Sequence, residues 1–364
     1  MPPNEPSEAG RLRDEGFALL EAARFAEAEA ALSRAVALAP EDALAHFRLA
    51  LVFVDTGRPA AAVAALDRSL DLDPGNARAH NNRGSALQLA GRTAEAEQAF
   101  RRALELDPDL EQPYLNLGHL LEKQGRAGDA ACLYEAAIAR GLDHASFGHH
   151  LAAALGRPAD RAPDRWVRAT FDNFAPTFEQ RLHALGYDAP ARLAAMLLPR
   201  LAVPVDVLDL GCGTGLCGTA LAARKRRLVG VDLSGKMLAL ARERGVYDAL
   251  HADDVETWLA GAGDDTFDVV VAADVFIYIG ALERVFAQVA RVLRPDGWFA
   301  FTTEDCATGD HALLPTGRFG QSHGYIARLA GTSFALAVAE PAVIRTESGT
   351  PVRGRLYLLQ RVPA

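Results

Sequence analysis

Apolar and polar positions in the first 140 residues follow a helical rhythm that recurs as a block. Pro40, Pro74 and Pro108 lie 34 residues apart, each closing an apolar stretch: AVALAP, SLDLDP and ALELDP. Units ending near these prolines bring Gly16, Ala50, Gly84 and Gly118 into one column, Ala28, Ala62, Ala96 and Ala130 into a second, and Leu32, Leu66, Phe100 and Tyr134 into a third. Small and bulky columns at one fixed period predict stacked helix pairs. The small column is expected where paired helices come close, and breaks such as Asp55-Thr56-Gly57-Arg58 turn the chain. Proline then stops the second helix, because it has no amide donor and clashes with the preceding turn. One pair cannot bury its apolar face alone, whereas four can build a continuous core. HASFGHHLAAALG, ending at Gly156, predicts a capping helix.

After Gly156 the pattern changes. RPADRAPDR (157–165) combines proline with charge and reads as a linker, so the expected domains are 9–156 and 166–364. Short apolar runs then alternate with helical patterns: strands at Val205–Leu208, Leu228–Val231, Phe267–Ala272 and Trp298–Thr302, with a further one near 248–251. That alternation predicts a parallel sheet covered by helices, with ligands at the carboxyl ends of its strands. Phe334–Arg345 and Arg355–Val362 predict a closing antiparallel hairpin.

At the end of the first of these strands stands VLDLGCGTGLCG (207–218). Gly211, Gly213 and Gly215 allow a tight turn and let a ligand touch backbone where a Cβ would intrude. The second strand ends in Asp232, where a carboxylate can accept both hydroxyl protons of a ribose and repels a 2′-phosphate. Asp209, Gly211, Gly213, Gly215 and Asp232 together resemble the D-x-G-x-G-x-G signature of class I S-adenosylmethionine-dependent methyltransferases, over roughly residues 166–362. The resemblance implies a Rossmann-like seven-stranded sheet and S-adenosyl-L-methionine as methyl donor. It implies that Asp209 serves the donor's ammonium group, which disfavours a nicotinamide site. By the same resemblance Asp253 receives the adenine amine with the Asp254 backbone beside it, and Met237 packs on the adenine face. The aromatic stretch 171–190, starting at Phe171, is expected to fold over the cofactor as a lid.

The N-terminal columns in turn resemble tetratricopeptide repeats, as four units plus the capping helix. That family lines a concave groove with the first helix of each unit, which implies a protein or peptide partner near Phe47, Arg48, Asn81, Asn82, Asn116 and His119. The combination resembles a bacterial group of predicted methyltransferases. The resulting expectation is methyl transfer to an unidentified acceptor, with the repeats docking the target. The alternative is a noncatalytic adaptor or cofactor-sensing scaffold that binds partners through the repeats.

Composition narrows the field. Half the 364 residues are hydrophobic, 23% are charged, and the formal charge is −9. Fifteen Lys and Arg against 23 Asp and Glu in residues 1–156 argue against general binding to nucleic acid or anionic membranes. The basic run Arg224–Arg227 reads as a solvated helix end. Met1–Gly10 has neither a basic nor an apolar export-like core, and the four cysteines form no C-x-x-C pair, so a cytoplasmic location is expected. No metal is expected: His144, His149 and His150 read as helix-surface residues. Methyl transfer from a sulfonium is an in-line displacement that depends mainly on positioning and a dry site. Where a proton must leave the acceptor, Asp274, Tyr278 and His323 are the candidate bases, with His311 beside them.

Overall fold

The computed structural model describes residues 7–201, 203–347 and 350–363. The chain divides into two compact units, Met1–Leu155 and Gly156–Ala364.

The first unit is helical throughout its described length. It contains α1 (Glu8–Glu21), α2 (Phe25–Leu38), α3 (Ala43–Asp55), α4 (Pro59–Leu72), α5 (Ala77–Leu89), α6 (Thr93–Leu106), α7 (Glu111–Lys123), α8 (Ala127–Ala139) and α9 (His144–Ala154). Ser7, Asp42 and Asn76 start α1, α3 and α5 by accepting the backbone N–H three residues on. The small and bulky columns meet inside each pair. A Cβ on Gly84 would come within 2.5 Å of the Phe100 ring and one on Gly16 within 2.6 Å of Leu32, while one on Gly118 would collide with the Tyr134 hydroxyl and ring. The glycines therefore make room for a side chain of the partner helix rather than for its backbone. Ala50 stands in the same column opposite Leu66, and both are fully buried.

Of the three histidines of α9, His144 is exposed as expected, whereas the other two depart from the surface reading. His149 and His150 are buried, with the His150 ring 4.9 Å from that of His119 and 5.5 Å from that of Tyr134. Burial holds His150 well below the usual imidazole pKa, with the neighbouring histidines acting in the same direction.

The second unit opens with α10 (Asp164–Phe174), α11 (Phe178–Ala184) and α12 (Ala189–Leu197). It continues as β1 (Val205–Leu210), α13 (Leu216–Leu221), β2 (Lys225–Asp232), α14 (Gly235–Glu243), β3 (Ala249–Ala252), α15 (Val255–Gly261), β4 (Phe267–Ala272), α16 (Glu283–Val292) and β5 (Leu293–Asp305). The chain ends with β6 (His311–Leu313), β7 (Phe319–Gln321), α17 (His323–Ala330), β8 (Phe334–Glu347) and β9 (Thr350–Arg361). The principal strands run in the order β3-β2-β1-β4-β5-β9-β8, parallel except for β9. These seven match the expected sheet with its final hairpin. The short β6–β7 ribbon adds two strands beside the end of β5 and brings the described sheet to nine.

Two local readings change. Arg224 ends a short 3-10 helix, as expected, but residues 225–227 already lie in β2, where Arg226 donates to both carboxylate oxygens of Asp206. The presumed linker is partly built in: Arg161 forms an antiparallel bridge with Ile279, and the Ala162 N–H donates to the Tyr278 carbonyl. Arg161 also binds Asp254, Asp164 and Glu256. No helix among the described residues is long and apolar enough to cross a membrane.

Candidate active site

The buried apolar residues of β1 carry the chain to Leu210, where the glycine loop begins. Gly211, Gly213 and Gly215 have φ of +60°, +53° and +92°, a region that side chains other than glycine enter at a cost. Their surroundings give them different tasks. A Cβ on Gly211 would lie 2.5 Å from Val275, and one on Gly215 2.8 Å from Tyr247, so both serve packing. A Cβ on Gly213 would meet nothing closer than Phe178 at 3.8 Å, so this backbone faces open space.

Asp232, at the tip of β2, is fixed to that loop. Its Oδ2 accepts from the Gly213 N–H and its Oδ1 from the Ser234 N–H, both at 2.8 Å. Burial nevertheless raises its pKa. Ser234 is fully buried and donates at 2.5 Å to Asp172 of α10, which ties the overlying helix to the β2 tip.

Asp209 lies one strand over and is also buried. The Tyr247 hydroxyl donates to its Oδ2 at 2.6 Å, yet desolvation still pushes Asp209 up to about 7. Tyr247 is the residue that the sequence reading missed. Its ring also lies against Gly218 and Gly230, each of which would clash with it through a Cβ. Glycines at the start of α13 and within β2 were the available signal.

Phe171 of α10 packs edge-on against Phe178 and Tyr278, with ring centroids 5.9 and 5.5 Å away. These aromatics cover a cavity of about 480 Å³ at the carboxyl ends of the strands. At the tip of β4, Asp274 adopts φ +60°. Its backbone N–H donates to Thr302 Oγ1 and its Oδ2 accepts from Arg345 Nη1, while Oδ1 is buried without a hydrogen-bond partner among the described residues. Burial raises the Asp274 pKa despite Arg345 and Arg318 nearby.

The cavity gathers Phe171, Asp209, Gly211, Gly213, Asp232, Asp254, Asp274 and Tyr278. Five expected residues do not line it, His311 among them: it starts β6, with its ring 5.7 Å from that of Tyr325. Met237 is fully buried within the core behind α14, and Leu233 lines the cavity instead. Asp253 turns its carboxylate onto the Asp254 N–H at 2.8 Å. Gly215 sits behind the loop at the start of α13. His323 is exposed at the start of α17 and stacks on Tyr357, its Nδ1 3.3 Å from that hydroxyl. Asp254 does line the cavity, but its carboxylate caps α15 and binds Arg161. That pairing, with the Thr257 bonds, outweighs desolvation and holds its pKa low.

Residues 208–301 match a family model described as a methyltransferase domain, and residues 13–77 and 49–111 match tetratricopeptide repeat. The chain thus joins a tetratricopeptide repeat array to a class I methyltransferase domain, the class whose methyl donor is S-adenosyl-L-methionine. Among curated relatives, it is 36% identical over 104 residues to a ubiquinone biosynthesis O-methyltransferase of Thiobacillus denitrificans, covering 27% of this chain and 43% of that protein. It is 33% identical over 137 residues to a malonyl-[acyl-carrier protein] O-methyltransferase of Geobacter sulfurreducens, covering 32% and 48%. The chain therefore spans less than half the length of these relatives. A solved structure of Burkholderia thailandensis 1,6-didemethyltoxoflavin-N1-methyltransferase with S-adenosylhomocysteine aligns at TM-score 0.44 and 18% identity, covering 57% of this chain and 93% of that one. The second tetratricopeptide domain of human RPAP3 aligns at TM-score 0.30 and 23% identity, covering 31% and 94%.

Proposed function

We propose that this protein transfers the methyl group of S-adenosylmethionine to an acceptor, and that its repeat array docks the target or a protein or peptide partner. The observation that carries the reading is the pairing of Gly213 and Asp232. An open, glycine-lined backbone stands 2.8 Å from a carboxylate at the neighbouring strand tip, inside one covered cavity. A nucleoside fits this arrangement. Asp232 spends one acceptor position of each oxygen on backbone N–H groups and keeps further lone pairs for ribose hydroxyls. Leu233 and Val255 supply apolar walls, and Asp209 also lines the cavity. The donor supplies an activated methyl group. The protein's part is to bind and align it, exclude water through Phe171, Phe178 and Tyr278, and bring the acceptor in line.

In this reading Phe171, Asp209, Gly211, Gly213, Asp232 and Asp254 form the donor site, and Asp274 and Tyr278 adjoin the acceptor. Several groove residues of the array are engaged in the array itself. Arg48 binds Asp14 at 2.5 Å and lies over the Phe17 ring, and Asn116 donates to Asn81 at 2.9 Å. A docking surface would therefore use the neighbouring positions. Incubating the full chain with labelled donor and a fractionated lysate tests the function: label in protein or in a small molecule, lost with Asp232→Ala, supports it. Absence of transfer to every fraction counts against it.

A further inference from the structure

The strand order separates the cavity into two halves. The tips of β1, β2 and β3 carry the residues assigned to the donor, whereas Asp274 follows β4, Arg318 lies just before β7, and Arg345 and Glu347 end β8. This second half is built around fixed charge. Arg345 is 4% exposed, and each of its three nitrogens holds a carboxylate: Nε holds Glu347 at 2.6 Å, Nη1 holds Asp274 at 2.7 Å, and Nη2 holds Glu304. Arg318 lies 3.0 Å from Glu304 through Nε and 2.8 Å from Glu347 through Nη2. Three carboxylates thus share two guanidinium groups. The remaining walls include Leu182, Leu185, Tyr187 and Ile277.

We propose, resting on the methyltransferase reading above, that this half of the cavity takes an acceptor with an apolar, ring-sized body and a neutral or cationic O–H or N–H as its reacting group. Asp274 holds that group, and the site turns carboxylates away. Asp274 Oδ1 is a buried acceptor without a donor among the described residues, so it has an open valence for one brought by a ligand. A carboxylate would find Arg345 fully occupied and would add a second uncompensated negative charge to a buried cluster, which is unfavourable. On transfer, a cationic N–H first gives its proton to Asp274, which frees the nitrogen lone pair, whereas a neutral O–H or N–H gives it up as the bond forms; that lone pair makes the new bond to the methyl carbon. The carbon–sulfur pair returns to sulfur, and in both cases the proton passes to Asp274.

The test uses full-length protein with S-adenosylhomocysteine, titrated at pH 7.5 with phenol or benzoate while ligand-observed NMR reports binding. The expected result is that phenol binds at millimolar concentration and benzoate at least tenfold more weakly. The ratio should fall below threefold in Asp274→Asn, and also in Glu347→Gln, which removes one wall charge at a half-exposed position. Benzoate binding as well as phenol, or no binding of phenol, overturns the proposal. Failure of S-adenosylhomocysteine itself to bind would instead remove the methyltransferase reading on which it rests.

Discussion

Asp274 Oδ2 lies 2.7 Å from Arg345 Nη1, an ion pair that joins the tip of β4 to β8 across the two intervening strands β5 and β9. Because Arg345 also holds Glu304 and Glu347, its removal leaves three acids with one guanidinium in a poorly solvated place. Arg345→Met should destabilise the second unit by about 3–5 kcal/mol, the usual consequence of breaking one side of a buried ion pair. Urea unfolding followed by tryptophan fluorescence measures it; a change under 1 kcal/mol would mean the network is solvated.

The proposed donor site gives a sharper pair of substitutions. Charge-assisted hydrogen bonds are worth about 1.5–3 kcal/mol, so Asp232→Ala should weaken S-adenosylmethionine by roughly 10–100-fold without unfolding the protein. Gly213→Val should abolish binding, because the new side chain would enter the cavity from a backbone at φ +53°. Equal affinity in wild type and Asp232→Ala would show that the ribose lies elsewhere.

Asp209 should leave a signature in pH. Burial raises it from 3.8 to about 7 in the fold, so the protonated form is favoured there. Its contribution to stability is complete below pH 3.8 and is lost as pH rises through about 7. Thermal melts of wild type and Asp209→Asn should therefore diverge, with the wild type losing stability relative to the variant across that window. Parallel curves would contradict the assignment. A donor ammonium near Asp209 should also favour its ionised form, so binding near pH 6.5 should release protons, detectable as a buffer-dependent binding enthalpy.

In the repeat array, Gly118 and Tyr134 form a coupled pair. Gly118→Ala should cost about 1–3 kcal/mol by overpacking against Tyr134. Adding Tyr134→Leu recreates the pairing of Ala50 with Leu66 and should recover part of the loss, giving a favourable coupling in a double-mutant cycle. Additive effects would show that the two columns do not constrain each other.

The built-in segment 160–162 sets where the second unit can be cut. We expect residues 157–364 to bind S-adenosylmethionine as the full chain does. A fragment beginning at 166 should bind more weakly, because it lacks Arg161 and its bonds to Asp254 and Glu256. Equal affinity of the two fragments in calorimetry would make the segment dispensable.

Features carried by a local pattern were legible in the sequence. The 34-residue period marked the helix pairs, and alternating apolar runs marked β1, β4 and the final hairpin. The glycine loop was legible because positive φ at Gly211, Gly213 and Gly215 favours glycine at that spacing. What escaped depends on partners far apart in the chain. Tyr247 reaches Asp209 across 38 positions, and Arg345 meets Asp274 across 71. Nothing local to an arginine in an edge strand tells that three carboxylates surround it. Met237 and His323 lie off the cavity for a related reason: each is close in sequence to an element that borders it, but the helix carrying it turns it into the core or out to solvent.

Calorimetric titration of the full-length protein with S-adenosylmethionine and S-adenosylhomocysteine tests the central claim most directly. The account requires one-to-one binding of both ligands, with affinity lowered at least tenfold in Asp232→Ala. Absence of binding to folded protein at millimolar concentrations of either ligand would contradict it.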